Sequence, residues 1–130
     1  MSHDRGRILI VEDDAEVREV WADVLKDKNY QINEARTTDD AIFAIRHHQY
    51  DLIVLDMSVP PAGREGGLVF LRAKSHNRLN QKTPVIIVSG IAPKEEIKMT
   101  LSHKFKLYKV FEKPIDNKEL VQAIERALTN

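Results

Sequence analysis

The 130-residue chain contains no cysteine. That removes disulfides, thiolate nucleophiles and Cys-ligated zinc from consideration, and it agrees with a reducing compartment. Neither charge is in excess: 20 Lys and Arg face 20 Asp and Glu, for a formal net charge of zero. Bulk electrostatics therefore gives no reason to expect direct nucleic acid binding. No apolar stretch approaches the roughly 20 residues that cross a bilayer. The opening "MSHDRGR" has no apolar core behind a basic head, so neither a membrane association nor a signal peptide is expected. Internal repeats, low-complexity tracts and Pro/Gly/Ser-rich linkers are also lacking. With 42% hydrophobic and 31% charged residues, the expectation is a cytoplasmic globular protein forming one domain over residues 1–130, because two domains of this total length would each have a thin core.

What the chain does have is three short, unbroken aliphatic runs: "ILIV" (8–11), "LIVL" (52–55) and "VIIV" (85–88). Continuous rather than alternating apolar residues predict strands buried on both faces, as in a parallel sheet covered by helices. "YQINEA" (30–35) and "LYKVF" (107–111) are more polar and suit the edges of such a sheet. Between the runs lie helical patterns. Val17, Val20, Trp21, Val24 and Leu25 define one helix face. Thr37 is a predicted N-cap for "TTDDAIFAI", a third helix is predicted over 68–75, and a fourth from near Pro93. Asp116 followed by Glu119 predicts the start of the last helix. Strand and helix alternate five times, which argues for a doubly wound α/β fold with right-handed crossovers.

In open α/β sheets ligands bind beyond the carboxyl ends of the strands. Here the residues just after the runs are Glu12-Asp13-Asp14, Asp56, Ser89-Gly90 and Glu112-Lys113-Pro114. Carboxylates gathered at one end of a sheet repel one another unless a cation compensates. A hard divalent ion with oxygen ligands, Mg²⁺ above all, meets that need. With a metal and a lysine beside it, Asp56 is placed to act as a carboxylate nucleophile toward a phosphoryl group.

"RILIVEDD", "DLIVLDMSVP", "PVIIVSG" and "VFEKPID", taken in order and spacing, resemble the four landmark motifs of response regulator receiver domains, and the similarity covers about residues 6–129. The resemblance implies a flavodoxin-like (βα)5 three-layer sandwich with parallel strand order 2-1-3-4-5. It implies a phosphorylation-activated switch in a two-component system or phosphorelay, with no output domain in this chain and no enzymatic activity beyond its own phosphorylation and dephosphorylation. Asp56 is the implied phosphoacceptor, supplied by a histidine kinase, a phosphotransfer protein or a small phosphodonor. Asp13 and Asp56 are implied Mg²⁺ ligands, joined by Glu12 through water and by the Ser58 backbone carbonyl. Ser89 and Lys113 are the implied switch hydroxyl and phosphoryl-binding lysine, Gly90 leaves the phosphoryl group room, and the peptide before Pro114 is expected cis. The surface near the fourth helix and fifth strand is expected to change on phosphorylation and to meet an effector protein, an output domain or a second copy in a homodimer.

Blander readings exist for each motif alone. Asp13 with Glu16 suits an N-cap and its partner, Ser89-Gly90 a turn or cap, and Lys113 a solvated lysine before a proline that breaks the strand. His47 and His48 suit the C-terminal end of a helix dipole rather than a metal, and lysines 94, 98, 104, 106 and 109 suit a solvated face. Asp56 has the weakest bland reading, since it ends what should be the most buried strand. The alternatives for the whole chain are a degenerate receiver used for protein interaction and a small aspartate-nucleophile phosphohydrolase; a flavin-binding protein is disfavoured because no hydroxyl- and Gly-rich phosphate loop follows the first strand. Three features depart from the family pattern. Val110 occupies a position usually aromatic, with Tyr108 and Phe111 as nearby substitutes. "PPAGREGG" (60–67) is long, so Met57 and Arg64 are expected to tune access to the site. The stretch before the fifth strand lacks the glycine that usually ends the fourth helix.

Overall fold

A computed structural model of the chain describes residues 5–60, 63–90, 95 and 105–129, Arg64 by its backbone alone. Five strands, β1 (Arg7–Val11), β2 (Gln31–Ala35), β3 (Leu52–Leu55), β4 (Val85–Ser89) and β5 (Leu107–Glu112), form one parallel sheet in the order 2-1-3-4-5. The helices described are α1 (Ala15–Asp27), α2 (Thr38–His47), α3 (Gly66–Ser75), preceded by a 3₁₀ turn Gly63–Glu65, and the C-terminal α4 (Asn117–Thr129). Of the helix expected from near Pro93, only Glu95 lies within the described residues. This is the flavodoxin-like, doubly wound architecture, with the two polar strands β2 and β5 at its edges.

The three aliphatic runs are apolar throughout because each sends alternate side chains into a different core. Leu9, Val11, Ile53, Leu55, Val85 and Ile87 pack with Ala41 and Ile45 of α2 and with Phe70 and Leu71 of α3. Their neighbours Ile8, Ile10, Leu52, Val54, Ile86 and Val88 pack with Trp21, Ala22 and Leu25 of α1 and Leu120 and Ile124 of α4. Both sheet faces are thus dry, which is the condition that a parallel sheet requires.

Local chemistry sets the helix ends. Thr37 caps α2, its hydroxyl accepting from the Asp40 amide. Asp116 does the same for α4 toward the Lys118 amide at 2.9 Å. The cap of α1 is Asp14, whose Oδ1 accepts from the amides of Glu16 and Val17; the reading of Asp13 as that cap is corrected, and Asp13 is left exposed. The apolar face of α1 is also rotated from expectation. Val20 is 45% exposed, while Arg18 is buried.

Helix α3 starts two residues earlier than its apolar pattern indicates, because Gly66 and Gly67 are pressed against the segment that follows β3. A Cβ on Gly66 would lie 2.0 Å from the Val59 carbonyl oxygen, and one on Gly67 would lie 2.6 Å from Met57 Cα. The Gly67 amide donates to the Met57 carbonyl at 2.9 Å, and Thr38 of α2 donates through its amide to Pro60 (2.8 Å) and through its hydroxyl to Gly66 (3.3 Å).

At the amino end of the sheet Asn80, fully buried, plays a comparable part. Its amide group donates to the carbonyls of Ile45 and His48 at 2.8 and 2.7 Å, and its oxygen accepts from the Tyr50 amide and the Thr83 hydroxyl. It joins the turn after α2 to the turn before β4. Asn80→Ala would strand these buried groups and is expected to lower unfolding free energy by about 2 kcal/mol or more in urea titration. Gly66→Ala must displace backbone and is expected to lower it by about 2 kcal/mol. Gly63→Ala has open space around it, with φ +57, and should cost only about 1 kcal/mol.

Candidate functional site

Strand order reverses between β1 and β3, since the chain leaves β1 for β2 on one side and returns for β3 on the other. A crevice forms beyond the carboxyl ends at such a switch point, and the acidic residues lie there. They stand on held backbone: the Glu12 amide donates to the Ala35 carbonyl at 3.0 Å and the Asp56 amide to the Val11 carbonyl at 2.9 Å. Glu12 and Asp56 are buried, at 0% and 4% exposure, whereas Asp13 is exposed. Carboxylate oxygens from all three lie within 4.8 Å of one another.

Lys113 enters from the end of β5. Its Nζ is 2.7 Å from Glu12 Oε1 and 3.2 Å from Asp56 Oδ2. Its amide donates to the Ser89 carbonyl at 2.9 Å, tying the ends of β4 and β5 together, and the Lys113–Pro114 peptide is cis. Asp56 Oδ1 accepts from the Ser58 amide at 3.1 Å, so one oxygen of the carboxylate is held by backbone and the other by the lysine. Both oxygens of Glu12 are engaged as well, Oε2 accepting from the Asp14 amide at 3.1 Å.

Burial raises the Glu12 pKa from 4.5 to about 7; the bond from Lys113 and the Asp14 amide oppose the rise, and the Asp56 charge adds to it. For Lys113, burial disfavours the ammonium, but its bonds and attraction to Glu12 and Asp56 outweigh that and hold its pKa above the ordinary lysine value. The proton therefore stays on the lysine. One ammonium facing three carboxylates leaves an excess of negative charge with room for a further cation.

Ser89 ends β4 at 1% exposure. A Cβ on Gly90 would sit 3.5 Å from Lys113 Cβ and 3.9 Å from its Cδ, ordinary contact, so this glycine lies over the lysine stem. Met57 is buried in the core beneath α3, and the Arg64 side chain lies outside the described residues. Val110 is buried on the α2/α3 side, but Phe111 joins the opposite core with α1 and α4, and Tyr108 is 41% exposed. Neither ring shares Val110's place. His47 stacks on Phe43, and His48 contacts Arg7 at the amino end of β1, away from the acids. Of the lysines read as a solvated face, Lys106 and Lys109 are exposed, and residues 94, 98 and 104 lie outside the described residues.

Sequence reasoning missed Arg18. Its guanidinium donates to the Glu12 carbonyl at 2.9 Å and pairs with Glu34 at 3.0 Å, clamping the acidic turn to β2. The signal was available: an arginine three residues before Trp21 and four after the Asp14 cap falls on the helix's inward side. An open cleft of about 520 Å³ adjoins Lys113, lined by Val17, Val20 and Trp21 of α1 and by Pro114 and Ile115.

Residues 8–125 match the family model for the response regulator receiver domain. The phosphate regulon transcriptional regulatory protein PhoB of Klebsiella pneumoniae is 30% identical over 122 residues, 94% of this chain and 51% of that protein. The chain thus spans about half the length of this curated relative. Among solved structures, NtrX from Brucella abortus superposes with a TM-score of 0.81 at 27% identity, over 99% of this chain and 27% of that one. The receiver domain of a sensor histidine kinase from Pseudomonas aeruginosa, which holds a magnesium ion in its active site cleft, matches in fold with a TM-score of 0.80 at 19% identity, covering 96% of this chain and 98% of that one. With motifs, topology and family model in agreement over nearly its whole length, the chain belongs to the response regulator receiver domain family.

Proposed function

We propose that this chain is a phosphorylation switch in which Asp56 accepts a phosphoryl group. The observation that carries the reading is the arrangement of Asp56 itself: a buried carboxylate at the end of a central strand, oriented by the Ser58 amide and facing Lys113 across 3.2 Å. The donor set suits Mg²⁺, because Glu12, Asp13 and Asp56 converge within 4.8 Å and Lys113 offsets only part of their charge. Asp13 and Asp56 would hold the ion directly with the Ser58 carbonyl, and Glu12, whose oxygens are already occupied by Lys113 and Asp14, would act through water. When bound, the ion neutralises negative charge on the phosphoryl oxygens and on the acids around them.

The protein's own part is positioning and charge. An Asp56 oxygen attacks phosphorus, a new O–P bond forms, and the bond to the donor breaks; the electron pair leaves with the imidazole of a phosphohistidine or with the carboxylate of an acyl phosphate. Lys113 trades its contact with Asp56 for one with a phosphoryl oxygen. Ser89, with its backbone already joined to Lys113, supplies the hydroxyl that responds to the new acceptor oxygens. The apolar cleft between α1 and Pro114 lies next to Lys113, on the side from which a donor protein can bring a phosphohistidine to Asp56.

A histidine kinase or phosphotransfer protein as donor, and an effector protein, an output domain or a second copy as receiver of the signal, follow from this reading. So do residues 1–130 as one module, a cytoplasmic setting and self-modification as the only catalysis. Among the described residues no helix is long and apolar enough to cross a membrane.

Incubation with acetyl phosphate and Mg²⁺ is expected to add one phosphoryl mass to the intact protein and none to Asp56→Asn; an unmodified wild type beside a phosphorylated control receiver would favour the interaction-only module. Multiple turnovers on small phosphate esters would favour a phosphohydrolase.

Glu12 also has a pH signature. A carboxyl whose pKa is higher folded than unfolded binds a proton on folding, so its contribution to stability falls as pH rises from about 4.5 to about 7. Urea titrations without divalent ions should show Glu12→Gln removing that decline, and Mg²⁺ should offset it in the wild type above pH 6.

A further inference from the structure

At the amino end of the sheet, opposite the carboxylates, a second group of charges shares one sign. Lys74 of α3 is only 3% exposed, and its Nζ donates to the Gln81 carbonyl at 3.2 Å. It lines a cleft of about 280 Å³ together with Lys82, which precedes β4, and Lys106, which precedes β5, over apolar walls from Leu71 and Phe105. No carboxylate side chain is among the described lining residues. A buried ammonium ordinarily finds an anionic partner, because leaving water is costly for an unpaired charge. Lys74 instead meets a carbonyl and a like charge. Burial, with Lys106 adding to it, pulls its pKa from 10.5 down to about 8.

We propose that this cleft binds a small oxyanion, a carboxylate or phosphate group, gripped by Lys74 with Lys82 and Lys106. An ammonium has three N–H donors, and among the described residues only the Gln81 carbonyl takes one. An anion would take another, restore the favourable charge on Lys74 and relieve its repulsion with Lys106. Leu71 and Phe105 favour a ligand that carries a short apolar body beside the anionic group. The volume lies just under the range typical of drug-sized ligands, about 300–1,000 Å³, which limits the occupant to a small molecule. Asp56 and its neighbours take no part, so the site stands or falls independently of phosphorylation.

The test is anion-dependent thermal unfolding at fixed ionic strength, without divalent ions, comparing chloride with inorganic phosphate and with butyrate at pH 7. One of the two oxyanions is expected to raise the melting temperature saturably in the wild type, and which one it is identifies the source of the anionic group. Lys74→Met should weaken that apparent affinity at least fivefold. Lys106→Gln, an exposed substitution that leaves the core intact, should weaken it measurably and keeps the test valid if Lys74→Met fails to fold. Lysine side-chain NMR supplies the second readout: the Lys74 midpoint, near pH 8 without ligand, should move upward at saturating anion, and binding should weaken at pH 9. Equal stabilisation of wild type and both variants, no stabilisation beyond chloride, or an unmoved Lys74 titration would overturn the site.

Discussion

The site depends on one cation shared between two strands that are far apart in sequence. Lys113 touches Glu12 and Asp56, 101 and 57 residues earlier in the chain, and it can do so only if β1, β3 and β5 end at the same level with β4 between them. The parallel sheet delivers that alignment, because every strand runs the same way and every crossover returns the chain to the same starting edge. A slip of one residue in β3 would turn Asp56 from the crevice toward a helix-covered face. Register and site are therefore one constraint: the dry aliphatic runs that fix the strands also fix where their terminal charges emerge.

Around that interaction the molecule is braced on two sides. Arg18 grips the Glu12 carbonyl and Glu34, so the acidic turn after β1 is held from α1 and β2 together. On the other side Gly66 and Gly67 let α3 close onto the Met57 and Val59 backbone, and Thr38 bonds both ends of that connection. The segment after Asp56 is consequently seated by backbone contacts that leave no space for a Cβ. The phosphoryl transfer proposed for Asp56 would benefit from such rigidity, because misplacement by about 1 Å can cost two orders of magnitude in rate.

Most of the fold was legible in the sequence, for a specific physical reason. Runs such as Leu52 to Leu55 are apolar at every position only when both faces are covered, and that alone separates a central parallel strand from an amphipathic edge. Asp56 was legible because a charge that ends a wholly apolar run has only a weak bland explanation; Asp13 and Lys113 have ordinary readings when taken alone, and only the four motifs in order drew them to the same end of the sheet. What escaped notice depends on tertiary partners. The spacing put Arg18 on the inward side of α1, but its partners, the Glu12 carbonyl and Glu34, lie in other elements and only the fold brings them beside it. Asn80 gave little local signal, since Asn77 and Thr83 are its only neighbours in sequence among its partners, and the bonds that lock it in place run to Ile45, His48 and Tyr50, 30 or more residues away. Asp14 displaced Asp13 as the helix cap because capping depends on backbone angles that adjacent aspartates do not advertise.

The exchange of an aromatic residue for Val110 limits how a change at Asp56 can travel. A ring at that position can swing between inward and outward rotamers and remodel the surface; Val110 has two methyls, sits buried against Ile87 on the α2/α3 side and has little to move. Phe111 cannot stand in, because the pleat sends it to the opposite core among α1 and α4. Tyr108 lies at the irregularity in the β4 and β5 pairing, two residues nearer the amino end of the sheet. If Asp56 is phosphorylated as proposed, the path left open to that signal is the backbone itself. Ser89 and Lys113 are joined by a main-chain hydrogen bond, so a phosphoryl group that drew the hydroxyl and the ammonium toward it, as proposed, would shift the ends of β4 and β5 as a pair. Phe111 and Ile115 flank Lys113 and pack against the α1/α4 core, so that shift would reach this face of the sheet.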